Sequence, residues 1–293
     1  MLTIPAPAKL NLWLSITGRR PDGYHELQTL FQLVDLADSI ELEATDDGDI
    51  ELSTPLPGVP DSQHLAVRAA KALKQATGSQ PGTRIAVQKQ LPQGGGLGGG
   101  SSDAATTLLG LNQLWGCGLS YDELATIGVE LGADVPVFIH GYSSLAAGIG
   151  EQLTPVELPP RWYIILVPPC QVSTADVFGD PDLTRDTLAI RIPAALGSGG
   201  EKNADLGEFL LRERSGNDCL AVVRKNYPIV AKTLDWLEQF GPAYLTGTGA
   251  CVFTPCDSEL RAREIQAQVP DWLDSFVTRG LNRSPTHRAL NAD

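Results

Sequence analysis

The sequence predicts an α+β protein of two domains, and three observations carry that prediction. The chain opens in alternating strands. It then passes through a strand that enters a glycine-rich loop followed by two helices. Its composition shifts at Pro155 to Pro160, after which the apolar strand Tyr163 to Val167 starts afresh. With 293 residues the chain also exceeds one average domain. The expected division lies near residue 158, giving domains 1–158 and 159–293.

Residues 10–16 read Leu-Asn-Leu-Trp-Leu-Ser-Ile, a period-2 pattern with Leu10, Leu12, Leu14 and Ile16 on one face and Lys9 and Asn11 on the other. Gly18 to Gly23 is rich in turn residues and ends the strand. Strands near 29–34 and 39–44 follow, an antiparallel start. A helix is predicted over 65–76 and a strand over 84–91, where Ile85, Val87 and Leu91 share a parity. Ala104, Leu108, Leu111 and Trp115 recur at helical spacing, as do Leu124, Ile127 and Leu131 behind the capping-box pattern Ser120-x-x-Glu123. A strand near 143–149 closes the first half. The second half reads as a strand, a loose stretch including Gly197 to Gly200, two helices around 207–238, strands at 243–246 and 250–254, a helix at 258–268 and a strand near 275–279.

Composition narrows the function classes. Hydrophobic residues make up 42% and charged residues 19%, and no apolar run approaches the ~18 residues of a membrane span. Met1-Leu2-Thr3-Ile4-Pro5 lacks a basic region followed by an apolar stretch, so a soluble, cytoplasmic protein with no membrane partner is expected. The five cysteines, Cys117, Cys170, Cys219, Cys251 and Cys256, form no C-x-x-C pair and argue against a zinc site or disulfide framework. A formal charge of −13 without a basic cluster argues against a nucleic-acid partner.

The stretch Leu91-Pro-Gln-Gly-Gly-Gly-Leu-Gly-Gly-Gly-Ser-Ser-Asp103 holds six glycines within residues 94–100, between a strand and a helix. Glycine permits positive φ and close backbone approach, so such a loop can turn several N–H groups toward one anion. The following helix adds the positive end of its dipole. Phosphate is the natural ligand, and a tightly turned structural loop is the alternative. No Lys-Ser or Lys-Thr follows the glycines, which excludes a Walker loop. Gly94, Gly96 and Gly99 formally fit the dinucleotide pattern, but Asp122 and Glu123 open a helix where an acidic strand end is required. Ser101 and Ser102 suit a phosphate and Mg²⁺ site, whereas the Asp103 carboxylate either caps the helix or, turned inward, opposes a nucleotide.

This loop resembles the ATP loop of the GHMP kinases. Pro7-Ala-Lys-Leu-Asn-Leu12, Asp22-Gly-Tyr-His-Glu-Leu27, Gly132-Ala-Asp-Val-Pro136, Thr246-Gly-Thr-Gly-Ala-Cys-Val-Phe253 and Ser284-Pro-Thr-His-Arg288 narrow the resemblance to the 4-diphosphocytidyl-2-C-methyl-D-erythritol kinase family. The motifs occur in family order across nearly the whole chain. The resemblance implies a mixed-sheet ATP-binding N-terminal domain and a ferredoxin-like C-terminal domain with substrate between them. It also implies ATP-dependent phosphorylation of the substrate's 2-hydroxyl, in the non-mevalonate route to isoprenoid precursors, by a monomer or homodimer that uses Mg²⁺ through ligands the sequence does not name.

Carried over residue by residue, the resemblance assigns catalysis to Lys9 and Asp134. Asp134 would accept the hydroxyl proton, while Lys9 would hold it charged and stabilise the transferred phosphoryl group. Read without the family, Lys9 fits an exposed strand lysine equally well. Asp134 likewise fits an N-cap before Val135-Pro136. ATP would lie on Pro92, Gly94, Gly95, Gly96, Leu97, Gly98, Gly99, Gly100, Ser101 and Ser102. Substrate would lie on Asn11, Tyr24, His25, Thr174, Phe178, Gly247 and Thr248, with cytosine between Tyr24 and Phe178 and His25 on the base edge. Packing is the alternative for Tyr24 and Phe178, and a tight hairpin for Gly247 to Gly249. Two positions depart from the family pattern: His64 stands for the usual asparagine and Thr246 for the usual serine. A catalytically silent nucleotide-binding module is the competing class, and the retained Lys9 and Asp134 argue against it.

Overall fold

One long hairpin organises the first half of the chain. Leu2–Arg19 (β1) pairs antiparallel with His25–Thr45 (β2), from Leu2↔Leu42 to Arg19↔His25, around a turn in which Gly23 takes φ +92°. The computed structural model describes residues 1–193 and 203–291, so the loose stretch expected at Gly197 to Gly200 lies outside the described residues. The strands expected near 29–34 and 39–44 are one continuous strand, since β2 stays extended while its partners change. A register shift between Asn11 and Trp13 interrupts the alternation in β1, and both faces of the strand are covered. Trp13 is thereby buried in a cluster with Leu30, Leu158 and Leu210.

Ile50–Leu52 (β3) pairs in parallel with Gly82–Gln88 (β4), which pairs antiparallel with β2, and the helix Leu65–Thr77 (α1) connects β3 to β4. Helices Gly99–Leu114 (α2), Tyr121–Val129 (α3) and Val135–His140 (α4) follow, then the hairpin Ser144–Ala147 (β5) and Gln152–Pro155 (β6). The expected capping box is present at Ser120 and Glu123 and opens α3. Apolar residues of α1 to α4 pack on β1, β2 and β4 in a core that includes Ile4, Phe31, Leu42, Ile85, Leu108 and Phe138. Each such side chain contributes about 1.5–3 kcal/mol by leaving water.

The second half contains Trp162–Val167 (β7), Thr174–Gly179 (α5), Asn203–Glu213 (α6), Gly216–Asn217 (β8), Leu220–Asn226 (α7), Pro228–Leu237 (α8), Tyr244–Leu245 (β9), Val252–Cys256 (β10), Glu259–Gln266 (α9), Asp274–Leu281 (β11) and Pro285–Leu290 (α10). Three helices stand where two were expected. Pro228 pushes Tyr227 out of helical geometry, to φ −125° and ψ 81°, and then opens α8 at its first turn. Strands β11, β7 and β10 run antiparallel to their neighbours, and β9 extends the sheet at its edge.

Two features join the halves. Gly280 and Leu281 of β11 pair with Val34 and Leu33 of β2, making one sheet path β3-β4-β2-β11-β7-β10-β9. Leu10, Leu91 and Leu97 also share an apolar cluster with Tyr163, Ile165, Cys251 and Phe253, so the glycine loop rests on residues from both halves. The unexpected α10 then returns to the first half, where the Thr286 hydroxyl donates to the Pro5 carbonyl at 2.7 Å. Among the described residues no helix is long and apolar enough to cross a membrane.

Candidate active site

The glycine loop lies between β4 and α2, and Gly94, Gly96 and Gly98 take φ of +66°, +76° and +74°. Close approach as well as φ dictates glycine here. A Cβ on Gly96 would stand 2.1 Å from the Thr246 carbonyl oxygen, and one on Gly98 2.8 Å from the Phe138 ring. The Ala250 and Cys251 amides donate to the Gly94 and Gly95 carbonyls at 3.3 and 3.1 Å, clamping the loop onto the turn before β10. Those bonds use loop carbonyls. Among the described residues, no N–H from Gly94 to Ser101 donates to another backbone group, so the loop and the first turn of α2 keep their donors free for an anion.

Lys9 is buried at the base of this loop. Its ammonium donates to Asn11 Oδ1 at 2.6 Å and to the Gly96 carbonyl at 3.0 Å, and it lies 3.2 Å from Asp134 Oδ2. The Lys9 side chain is 3% exposed against 33% for Asp134, so the cation is held from below and the carboxylate faces the cleft. Asp134 does occupy the N-cap position of α4, but its side chain makes no cap hydrogen bond. It is spent on Lys9 instead. Asn11 is fixed in turn: its Nδ2 donates to Thr29 Oγ1 at 2.8 Å, and Thr29 Oγ1 donates to the Trp13 carbonyl at 2.6 Å. The shared strand face of Lys9 and Asn11 therefore becomes a hydrogen-bonded pair beneath the loop.

At another wall His25 begins β2 and Phe178 is the next-to-last residue of α5, with ring centroids 5.0 Å apart and planes at 30°. His25 is buried, whereas Tyr24 is 60% exposed and also lines the cleft, so core packing does not account for Tyr24. Thr174 and Thr248 share a hydroxyl hydrogen bond of 3.0 Å across the same space. Gly247 to Gly249 is indeed the tight connection between β9 and β10, held by Asn217 Nδ2 donating to the Leu245 and Gly247 carbonyls at 3.0 and 2.7 Å. The turn and the cleft wall are the same residues. All of the sequence-predicted site residues except Ser102 line a single cleft of about 1060 Å³.

Comparison with known proteins gives the family of the chain. Residues 64–142 match the model for the GHMP kinases N terminal domain, and residues 201–275 match that for the GHMP kinases C terminal. The chain is 51% identical over 291 residues to the 4-diphosphocytidyl-2-C-methyl-D-erythritol kinase of Marinobacter nauticus, covering 99% of this chain and 97% of that protein. It belongs to the 4-diphosphocytidyl-2-C-methyl-D-erythritol kinase family of GHMP kinases. A crystal structure of 4-(cytidine 5'-diphospho)-2C-methyl-D-erythritol kinase is similar with a TM-score of 0.79 at 31% identity, over 96% of this chain and 100% of that one. The mevalonate kinase of Methanococcus jannaschii shares the fold, with a TM-score of 0.67 at 16% identity over 96% and 98% of the two chains.

In this family member Ser101 lines the cleft but Ser102 does not. Ser102 is fully buried, and its hydroxyl has no partner. Helix α2 already starts at Gly99, and successive helical residues point about 100° apart, so adjacent serines cannot share a face. Asp103 neither caps α2 nor lies unpaired. It is bound to Lys89 Nζ at 2.7 Å, and Lys89 also bonds Asp38, whose other oxygen accepts from the Gln90 and Leu91 amides at 2.6 and 2.8 Å. Burial pushes the Asp103 carboxyl up to about 7 against the pull of Lys89. His64 caps α1, with the Ala66 amide donating to its Nδ1 at 3.3 Å, and burial lowers its pKa. Thr246 Oγ1 accepts from the Asn11 amide and donates to the Gly96 carbonyl, each at 3.1 Å. Sequence reading missed Thr29, Lys89, Asn217 and Arg185, which carry no motif and act through partners distant in the chain.

Proposed function

We propose that this protein transfers the γ-phosphoryl group of ATP to the 2-hydroxyl of 4-diphosphocytidyl-2-C-methyl-D-erythritol, giving the 2-phosphate and ADP for isoprenoid precursor synthesis by the non-mevalonate route. The observation that carries the proposal is the Lys9–Asp134 pair, set at 3.2 Å between the glycine loop and the wall of Tyr24, His25 and Phe178. The Marinobacter relative's name supports the substrate.

The free amides of the glycine loop and the N-terminal end of α2 stabilise the phosphates of ATP. Asp134, turned to the cleft, accepts the proton of the substrate hydroxyl as its oxygen attacks the γ-phosphorus and the bond to the β-phosphate oxygen breaks. Lys9 stays in place through its bonds to Asn11 and Gly96 and presents a fixed cation beside the transferred group. Tyr24 and Phe178 take the two faces of cytosine and His25 its edge. Asn11, Thr174, Gly247 and Thr248 line the path between the base and the transferred group. Among the described residues no group of three or more His, Cys, Asp or Glu could hold a metal ion. Ser101, which lines the cleft, is the hydroxyl that would help hold a Mg²⁺ ion, and the ion would neutralise phosphate charge.

ADP release tests the assignment with 4-diphosphocytidyl-2-C-methyl-D-erythritol, mevalonate, homoserine and galactose offered in parallel. Turnover of the first alone is expected. Preferential turnover of another alcohol would overturn the substrate and leave a kinase.

A further inference from the structure

Arg185 belongs to no motif and touches no group used in phosphoryl transfer, yet three backbone carbonyls hold its guanidinium. Its Nη1 donates to Leu183 O at 3.0 Å, and its Nη2 donates to Phe178 O at 2.9 Å and Asp180 O at 2.8 Å. Its Nε–H points at His25 Nε2 at 3.0 Å. Arginine carries only donors and stays charged in proteins. The His25 Nε2 atom must therefore offer its lone pair. The ring is then neutral with its proton on Nδ1, the nitrogen that bonds no other protein group among the described residues. Burial, with the charges of Arg185 and Arg19, lowers the His25 pKa and agrees with a neutral ring.

We infer that Arg185 is the positioning residue of the base wall: it fixes His25 as the Nδ1–H tautomer and ties that ring to the Phe178 backbone. One guanidinium thus joins the start of β2 to the end of α5, the two elements that bring His25 and Phe178 to a 5.0 Å ring separation. The inference rests on the reading of this wall as the cytosine site. It deepens that reading, because a neutral Nδ1–H ring is committed to donating. The group it recognises must then be an acceptor, which the cytosine edge supplies at O2 and N3. The reverse tautomer would present a lone pair there and repel both atoms.

The test is ¹⁵N NMR of the full chain labelled at histidine, which has four such residues, with His25→Gln used to assign the signal. The wild-type protein should show His25 with a protonated Nδ1 and an unprotonated Nε2 at neutral pH. A wild-type Nε2–H ring would overturn the inference without any variant. Arg185→Met should release the ring to the Nε2–H form, raise KM for the cytidylated substrate roughly tenfold, as for one lost hydrogen bond, and leave kcat and KM for ATP within about twofold. Arg185→Lys, which keeps a cationic donor, should recover part of the loss. If His25→Gln raises KM for the cytidylated substrate but a folded Arg185→Met does not, the positioning role is wrong and the base site stands. If neither moves it, the cytosine reading of this wall fails.

Discussion

Gly96→Ala measures how tightly the glycine loop is tied to the second half of the chain. At φ +76° the alanine would first incur the left-handed backbone cost of roughly 1–2 kcal/mol. Its Cβ would then stand 2.1 Å from the Thr246 carbonyl oxygen, where side-chain carbons essentially never come closer than 3.0 Å. Backbone stands on both sides, so the loop and residues 246–249 must part by about 1 Å, a misplacement that costs on the order of 10²-fold in rate. The Gly96 carbonyl accepts from both Lys9 and Thr246, so the same shift disturbs Lys9, the proposed catalytic lysine. Gly94→Ala is the control. Gly94 has φ +66° but its added Cβ would meet only Gln171 Cγ, at 3.9 Å, so that variant carries the backbone cost alone. Gly96→Ala should lose more stability than Gly94→Ala in urea melts, and its kcat/KM for ATP should fall on the order of 10²-fold further. Values within threefold of each other would refute the claim that the contact with Thr246 sets the loop's position.

Three further outcomes follow from the geometry. Asp134→Asn keeps the shape but not the base, so turnover should fall by about 10²–10⁴-fold while ATP affinity by calorimetry changes little; undiminished turnover would remove Asp134 as the proton acceptor. Tyr24→Ala should leave the melting temperature unmoved, because the side chain is 60% exposed, and should raise KM for the cytidylated substrate by the equivalent of about 1–3 kcal/mol of base stacking. A drop in stability without a KM change would make Tyr24 a packing residue. The raised pKa of Asp103, about 7, means the folded chain holds that proton more tightly than the unfolded one. Its contribution to stability is then full below about pH 4 and is lost as pH rises through the folded value. Asp103→Asn should flatten the decline between those limits by up to about 1.4 kcal/mol per pH unit, and parallel slopes in urea melts would discount the shift.

Local chemistry made much of this protein legible. The period-2 pattern placed Lys9 and Asn11 on one strand face, where they form the 2.6 Å pair beneath the loop. Ser120 and Glu123 announced α3 through a capping box complete within four residues. What stayed hidden depends on phase or on long separations. Ser102 looked equivalent to Ser101 until the start of α2 at Gly99 set which serine meets the cleft. Lys89 is recognisable only once Asp38 and Asp103 converge on it, and Arg185 only once His25 arrives from the other end of the chain. No spacing rule links such residues, because each contact is made by the tertiary fold.

The two departures from the family pattern indicate what the site requires of those positions. Asparagine at 64 would offer a side-chain oxygen to the first turn of α1; His64 offers Nδ1 to the Ala66 amide, so the acceptor survives the change of residue. Serine at 246 would offer a hydroxyl; Thr246 offers the same group to the Asn11 amide and the Gly96 carbonyl, and its side chain is fully buried. Both positions therefore act as hydrogen-bonding atoms at fixed places, and the carbon framework that carries those atoms can vary. Lys9 has less latitude. Its ammonium must meet Asn11 Oδ1, the Gly96 carbonyl and the Asp134 carboxylate from a buried strand, and a planar guanidinium could not place a single charge among those three groups without moving the loop above it.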